Sequence, residues 1–195
     1  MEGNHVYTVK KLLTGIDGFD HISKGGLPMN RTTLISGTAG SAKTVLAAQY
    51  LAEGVKQFNQ SGVFVTFEES VEDIRTNMLS FGWNIIDWEK NKKWAFVDAS
   101  PSPNEPQTVS GEYDLGALLA RIENAIKHTG ATRLSMDSLG AIFTQLTDPT
   151  IIRRELHRIA FALKKMGVTA LMTSERIQEY GDIARYGVEE FRAEN

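Results

Sequence analysis

The segment Gly37-Thr38-Ala39-Gly40-Ser41-Ala42-Lys43-Thr44 holds residue types suited to phosphate chemistry, in an order that suits it. An apolar run, Thr32-Thr33-Leu34-Ile35-Ser36, precedes it, and a helix-like run, Val45-Leu46-Ala47-Ala48-Gln49-Tyr50-Leu51, follows. Strand, glycine-containing loop, Lys-Thr and helix is the layout of a phosphate-binding P-loop. Small residues let successive backbone N–H groups turn inward around phosphate oxygens. The helix start adds its free N–H groups and its dipole. Lys43 supplies a point charge for the outer phosphates, and Thr44 a hydroxyl for a magnesium ion. The first reading is a nucleoside-triphosphate site. The usual pattern, G-x-x-x-x-G-K-[ST], has glycine before the lysine, where this chain has Ala42. Ala42 is expected in the first helical turn, where right-handed angles suit alanine. On that reading the substitution trims room near the phosphates and leaves the site intact. The alternative, a bland small-residue loop, is disfavoured because strand, loop, Lys-Thr and helix all fall in order.

A nucleotide site also needs carboxylates, and these are sought at strand ends. Glu68-Glu69 follow the run 62–67, Gly-Val-Phe-Val-Thr-Phe. A carboxylate there can face the terminal phosphate and orient or deprotonate a water. Two adjacent acids point to opposite sides if the strand persists, which makes one catalytic and the other structural. Asp137 closes the run Leu134-Ser135-Met136 and is read as the acid on a strand next to the P-loop strand. It would hold magnesium together with Thr44, usually through a water. Asp98 also ends a strand and competes for this role; a simple turn or helix cap is the bland reading of either. Thr173-Ser174-Glu175-Arg176 forms a further polar cluster at a strand end, which either senses the terminal phosphate or makes surface salt bridges. Arg153-Arg154 opens a helix and is either a surface salt-bridging pair or an arginine source for a neighbouring subunit's nucleotide.

The strands that must position these groups are legible as short apolar runs, and the helices between them as amphipathic segments. Strands are expected at 32–36, 62–67, 94–98, 133–137 and 168–173, and helices at 43–57, 70–80, 114–128 and 150–165. The helix at 114–128 puts Leu115, Leu118, Leu119, Ile122 and Ile126 on one face; that at 150–165 does so with Ile152, Leu156, Ile159 and Leu163. Strand–helix alternation of this kind gives an α/β fold, a mostly parallel sheet with helices on both faces. Ligands in such sheets sit at the carboxyl ends of the strands. The loop 99–113 carries three of the five prolines and is long for an α/β connection, so it reads as a solvated surface loop or a partner-binding loop.

Composition narrows the classes. The chain has 195 residues, 42% apolar and 23% charged, which suits one α/β domain with a sizeable core. There is no cysteine, so disulfides and thiolate metal sites are excluded. His5, His21, His128 and His157 show no metal-ligand spacing. The net charge of −3 argues against strong nonspecific nucleic-acid binding. No apolar run approaches the roughly 20 residues of a membrane span, and the first residues lack a signal-peptide pattern, so a cytoplasmic protein is the expectation.

Taken together, these residues resemble the RecA-like ATPases and, among them, the KaiC family, specifically its first ATPase domain. The resemblance covers nearly the whole chain. It is carried by Thr14-Gly15-Ile16-Asp17-Gly18-Phe19-Asp20, Gly25-Gly26-Leu27-Pro28, Phe64-Val65-Thr66-Phe67-Glu68-Glu69, Ser80-Phe81-Gly82-Trp83 and Val97-Asp98-Ala99-Ser100-Pro101. The strongest part runs from Glu175-Arg176-Ile177-Gln178-Glu179-Tyr180-Gly181 through Ala184-Arg185-Tyr186-Gly187-Val188-Glu189-Glu190-Phe191, which no generic P-loop protein needs. The resemblance implies a RecA-like P-loop fold, ATP with Mg2+, slow hydrolysis, and a hexameric ring with nucleotide between neighbours. It implies Glu68 as the residue acting on water with Glu69 beside it, residues 37–45 including Val45 around the phosphates, and Ser80 near the adenine. It implies KaiB-type partners, with 99–113 a candidate docking loop. The family domain carries further strands with basic residues that contact the neighbour's nucleotide. Residues 1–195 are therefore read as a single such domain cut short at its C-terminus, without the second domain that carries autophosphorylation in clock proteins.

Two other functions fit parts of this pattern. A DNA-associated recombinase or helicase of the same fold needs basic loops near a ring axis, and residues 139–150 supply none. A degenerate scaffold that holds ATP without turnover is opposed by Glu68, Glu69 and Asp137.

Overall fold

The computed structural model describes residues 9–100, 115–140 and 148–176. The loop expected at 99–113 and the run after Arg176 lie almost wholly outside these residues. Strands β1 (Lys11–Leu12) and β2 (Leu27–Pro28) pair antiparallel, with α1 (Asp17–Ile22) between them. Then come β3 (Thr32–Gly37), α2 (Lys43–Phe58), β4 (Gly62–Thr66), α3 (Val71–Leu79), α4 (Ile85–Lys90) and β5 (Trp94–Asp98). After them come α5 (Leu115–Thr129), β6 (Arg133–Asp137), α6 (Pro149–Lys165) and β7 (Thr169–Glu175).

The five expected strands form one sheet in the order β3-β7-β6-β4-β5, every neighbouring pair parallel. The sheet buries both faces, as parallel sheets must. Alternate residues of one strand serve opposite cores. Val63, Val65, Val97, Leu134, Met136, Ala170 and Met172 pack under α5 and α6, against Leu118, Ile122, Leu156 and Ile159. Phe64, Trp94 and Leu171 face the other way, against Tyr50 and Leu51 of α2 and Ile74 and Met78 of α3. Helix starts follow local chemistry. Ser70 caps α3 by accepting from Asp73 N at 3.1 Å, and Asp148 caps α6 by accepting from Thr150 N at 2.7 Å, with Pro149 in the first turn.

The strand order corrects one expectation. The strand ending in Asp137 is not next to the P-loop strand; β7 lies between β3 and β6. Neighbours in a parallel sheet are joined by crossovers, so chain order does not reveal sheet order. The short elements β1, β2, α1 and α4 went unpredicted because two-residue strands and two-turn helices carry no readable period.

The amino-terminal end of the sheet is closed by Arg133, the first residue of the central strand β6, which is only 1% exposed. Its Nη1 donates to Thr14 O at 2.9 Å and Tyr50 O at 3.0 Å, its Nη2 to Leu13 O at 2.7 Å, and its Nε to Gln60 Oε1 at 2.7 Å. The guanidinium also lies over the Tyr50 and Phe58 rings, 4.9 and 5.1 Å from their centroids. Burial lowers its pKa from the usual arginine value. Gly54 makes room, since a Cβ there would sit 2.6 Å from the Arg133 side chain. The preceding segment folds around Asp20, whose Oδ1 accepts from Thr14 N at 2.8 Å and Thr14 Oγ1 at 2.7 Å and whose Oδ2 accepts from Gly15 N at 2.9 Å. The run Thr14–Asp20 is thus a self-capped turn that Arg133 fastens to the sheet.

Candidate nucleotide site

The candidate site lies at the carboxyl ends of β3, β7, β6 and β4. Gly37 ends β3; Thr38, Ala39, Gly40, Ser41 and Ala42 form the loop; Lys43 and Thr44 begin α2. The loop is tight. Gly37 approaches Ser41 so closely that a Cβ on it would lie 2.3 Å from Ser41 Oγ. Gly40 has φ 74°.

Ala42 departs from expectation. It has φ 59° and ψ 28°, the left-handed region, and sits at the N-cap of α2 instead of within its first turn. The chain must reverse its curvature to pass from loop to helix, and the residue before the lysine makes that reversal. Glycine adopts this conformation without cost, whereas an L-residue brings Cβ against its own backbone. The missing glycine therefore acts on backbone conformation rather than on room near the phosphates.

Lys43 curls back over the loop, its Nζ donating to Gly37 O at 2.9 Å, Thr38 O at 2.7 Å and Ser41 Oγ at 3.4 Å. The ammonium is thereby held over the concavity of the loop. Thr44 Oγ1 donates to Asp137 Oδ2 at 2.6 Å. Ser135 and Asp137, two residues apart on β6, face α2: Ser135 Oγ donates to Ala47 O at 2.8 Å, one turn beyond Thr44. Asp137 thus reaches Thr44 although β7 intervenes in the sheet. Its other oxygen, Oδ1, accepts from Thr173 Oγ1 on β7. Val45 is half-buried and packs on the α2-side core.

Strand β4 ends at Thr66, so strand alternation does not reach Glu68 and Glu69; both sit in a bend. Their surroundings differ all the same. Glu69 is half-buried and its Oε1 accepts from Asn77 Nδ2 at 2.8 Å, while its carbonyl accepts from Thr66 Oγ1 at 2.6 Å. Glu68 is exposed. Ser138, joined to Asp137 by a cis peptide, donates from Oγ to Glu68 Oε1 at 3.4 Å, which brings Glu68 to the end of β6. Asp98, the competitor, ends the edge strand β5 and accepts from Ser100 N at 3.0 Å in a local turn. Ser80 lies at the far end of α3, exposed, with its hydroxyl on Asn77 O at 2.7 Å. Arg154 pairs with Glu155 at 3.0 Å on the exposed side of α6, and Arg153 is exposed beside it. Of the polar cluster at the end of β7, Arg176, the residue after the strand, donates from N to Gly37 O at 3.1 Å.

The donor set suits magnesium carried by a nucleotide. The described residues hold no group of three or more His, Cys, Asp or Glu side chains that could cage an ion. Mg2+ is ordinarily held by one or two protein oxygens together with substrate phosphates and waters. A hydroxyl has one proton and two lone pairs. Thr44 spends its proton on Asp137, which leaves its lone pairs for a cation.

Among the described residues, a parallel sheet with the P-loop strand outermost and one strand between it and the strand bearing the acid is the arrangement of a RecA-like P-loop ATPase domain, the class the family match gives. The family model described as "ATPase: KaiC" matches residues 12–195, and the chain belongs to the KaiC family. It is 59% identical over 187 residues to "Circadian clock protein KaiC3" of Synechocystis sp., covering 96% of this chain and 37% of that protein. It is 53% identical over 187 residues to "Circadian clock oscillator protein KaiC" of Thermostichus vulcanus, covering 96% and 36%. The same protein of Acaryochloris marina is 51% identical over 187 residues, covering 96% and 36%. The chain spans a little over a third of the length of these relatives. Among the described residues no helix is long and apolar enough to cross a membrane.

Proposed function

We propose that this chain is the first ATPase domain of a KaiC-type clock or signalling protein, binding ATP with Mg2+ and hydrolysing it slowly in the cytoplasm. The observation that carries the reading is the Thr44–Asp137 hydrogen bond beside a lysine held over a glycine-containing loop. Lys43 exchanges its loop carbonyls for the outer phosphates. Thr44 and Asp137 receive the ion that arrives with the nucleotide, which when bound neutralises charge on the phosphates. Residues 37–45 wrap the phosphates, and Ser80 belongs to the adenine end by resemblance alone. Glu68 orients a water or takes its proton, supported by its exposure and its place at the end of β6. Glu69, tied to Asn77, holds the bend.

The domain joins a hexameric ring in which a neighbour's basic side chain completes the site, Arg153 or Arg154 being candidates, and the ring engages KaiB-type partners. A charge delivered across an interface stabilises the transition state more than the ground state. The test is a titration of a fluorescent ATP analogue with Mg2+ against the wild type and Lys43→Ala. Removing a charge-assisted contact worth about 1.5–3 kcal/mol weakens binding roughly 10- to 150-fold. Equal dissociation constants would remove the reading. Phosphate release followed with sedimentation over a concentration series tests assembly: turnover per chain rises with association. A flat specific activity across the association range would rule out the shared site.

A further inference from the structure

Thr173 is fully buried at the carboxyl end of β7, the strand between the P-loop strand and the strand that carries Asp137. Leu171 joins the core under α2 and Met172 the core under α5 and α6, so Thr173 faces α2, the same side as Asp137. Its hydroxyl has one proton to give. Two acceptors are in reach, Asp137 Oδ1 and, at the longer distance of 3.4 Å, Met136 O. The carboxylate is the better acceptor because it is charged. Asp137 is therefore gripped at both oxygens, Oδ1 by Thr173 from β7 and Oδ2 by Thr44 from α2. Its main chain is held as well, since Asp137 O accepts from Phe67 N at 3.1 Å. Just past the end of β7, Arg176 N donates to Gly37 O, so the chain reaches the P-loop as well.

We infer that Thr173 is a positioning residue for the metal-bearing nucleotide: it locks Asp137 in the rotamer that presents Oδ2 to Thr44, and so sets the magnesium dependence of nucleotide binding. The inference rests on the reading of this site as one for ATP with Mg2+. A carboxylate free to rotate about its Cβ–Cγ bond spends part of its time turned from Thr44, and the Thr44 hydroxyl, its proton without that acceptor, no longer holds its lone pairs toward the ion. Groups that orient a metal's oxygen ligands in this way typically alter metal affinity by 10- to 100-fold when removed. From sequence, Thr173 belongs to a polar cluster read as phosphate-sensing or salt-bridging; in the structure its hydroxyl donates to the acid.

Thr173→Val tests this, because valine keeps the shape and removes the proton, while Thr173→Ser keeps the proton. A fluorescent ATP analogue at fixed concentration is titrated with MgCl2 and followed by polarisation, and its affinity is measured separately in EDTA. The expected result is a magnesium midpoint raised about tenfold or more in Thr173→Val, the wild-type midpoint in Thr173→Ser, and one shared affinity in EDTA. A wild-type midpoint in Thr173→Val overturns the inference. So does an equal weakening with and without magnesium, which marks a packing role only. If circular dichroism shows Thr173→Val unfolded, Thr173→Ala against Thr173→Ser carries the same comparison. A wild-type chain that binds the analogue with no magnesium dependence overturns the site reading itself, a result distinct from matching curves for wild type and variant.

Discussion

Replacing Ala42 with glycine is expected to stabilise the protein, against the usual trend for single substitutions. Ala42 has φ 59° and ψ 28° and its side chain is exposed. Removing an exposed methyl forfeits little packing, so the backbone terms decide the sign. Holding an L-residue in the left-handed region costs roughly 1–2 kcal/mol relative to glycine. Glycine gives back about 0.4–1 kcal/mol through the greater entropy of its unfolded chain. Alanine is also among the poorer N-cap residues, which glycine improves slightly. The balance is a gain of about 0.5–1 kcal/mol for Ala42→Gly. In a chain of this size that raises Tm by about 1–4 °C. Ala42→Val should move the other way, because a branched Cβ fits the left-handed region worse than a methyl does. Thermal melting by circular dichroism without nucleotide, checked by urea denaturation with equal slopes, reads both variants. If Ala42→Gly melts at or below the wild type while Ala42→Val melts with it, the left-handed assignment at Ala42 is wrong.

Other substitutions probe the same framework. Glu68→Gln keeps shape and removes the base, so turnover should fall about 10²-fold or more with ATP affinity nearly kept; Glu69→Gln, which keeps a carbonyl for Asn77, should cost less. A larger loss of phosphate release at Glu69 would exchange their roles. Arg133→Met leaves the Leu13, Thr14 and Tyr50 carbonyls and Gln60 without their donor, and should lower stability by about 3 kcal/mol or more in urea denaturation. Arg133→Lys, with three donors in place of a planar fork, should fall between Met and wild type; a lysine variant as stable as the wild type would show that charge alone closes this end of the sheet.

What could be read from the sequence was whatever a short window contains. The P-loop is contiguous, so Gly37 to Thr44 announce a phosphate site without any knowledge of the fold. The strands at 62–67, 94–98 and 133–137 show as short apolar runs, and the stripes Leu115–Ile126 and Ile152–Leu163 follow from a period of 3.6; both are properties of one element at a time. Parallel pairing and the α/β class follow from the alternation of those elements. What the tertiary structure decided depends on residues far apart in the chain. Strand β7 stands between β3 and β6 because the crossovers place it there, and nothing local marks that order. It is this order that sets Thr173 beside Asp137, and the packing of α2 over β6 that sets Thr44 there, 93 residues away from its acid. Arg133 looks like an ordinary strand-opening residue until Leu13, Thr14, Tyr50 and Gln60 converge on it from three other parts of the chain. Ala42 is the instructive case between the two. Its identity is local, but its left-handed backbone is imposed by the need to turn from a strand of the sheet into a helix packed across it, a demand that propensity alone does not contain.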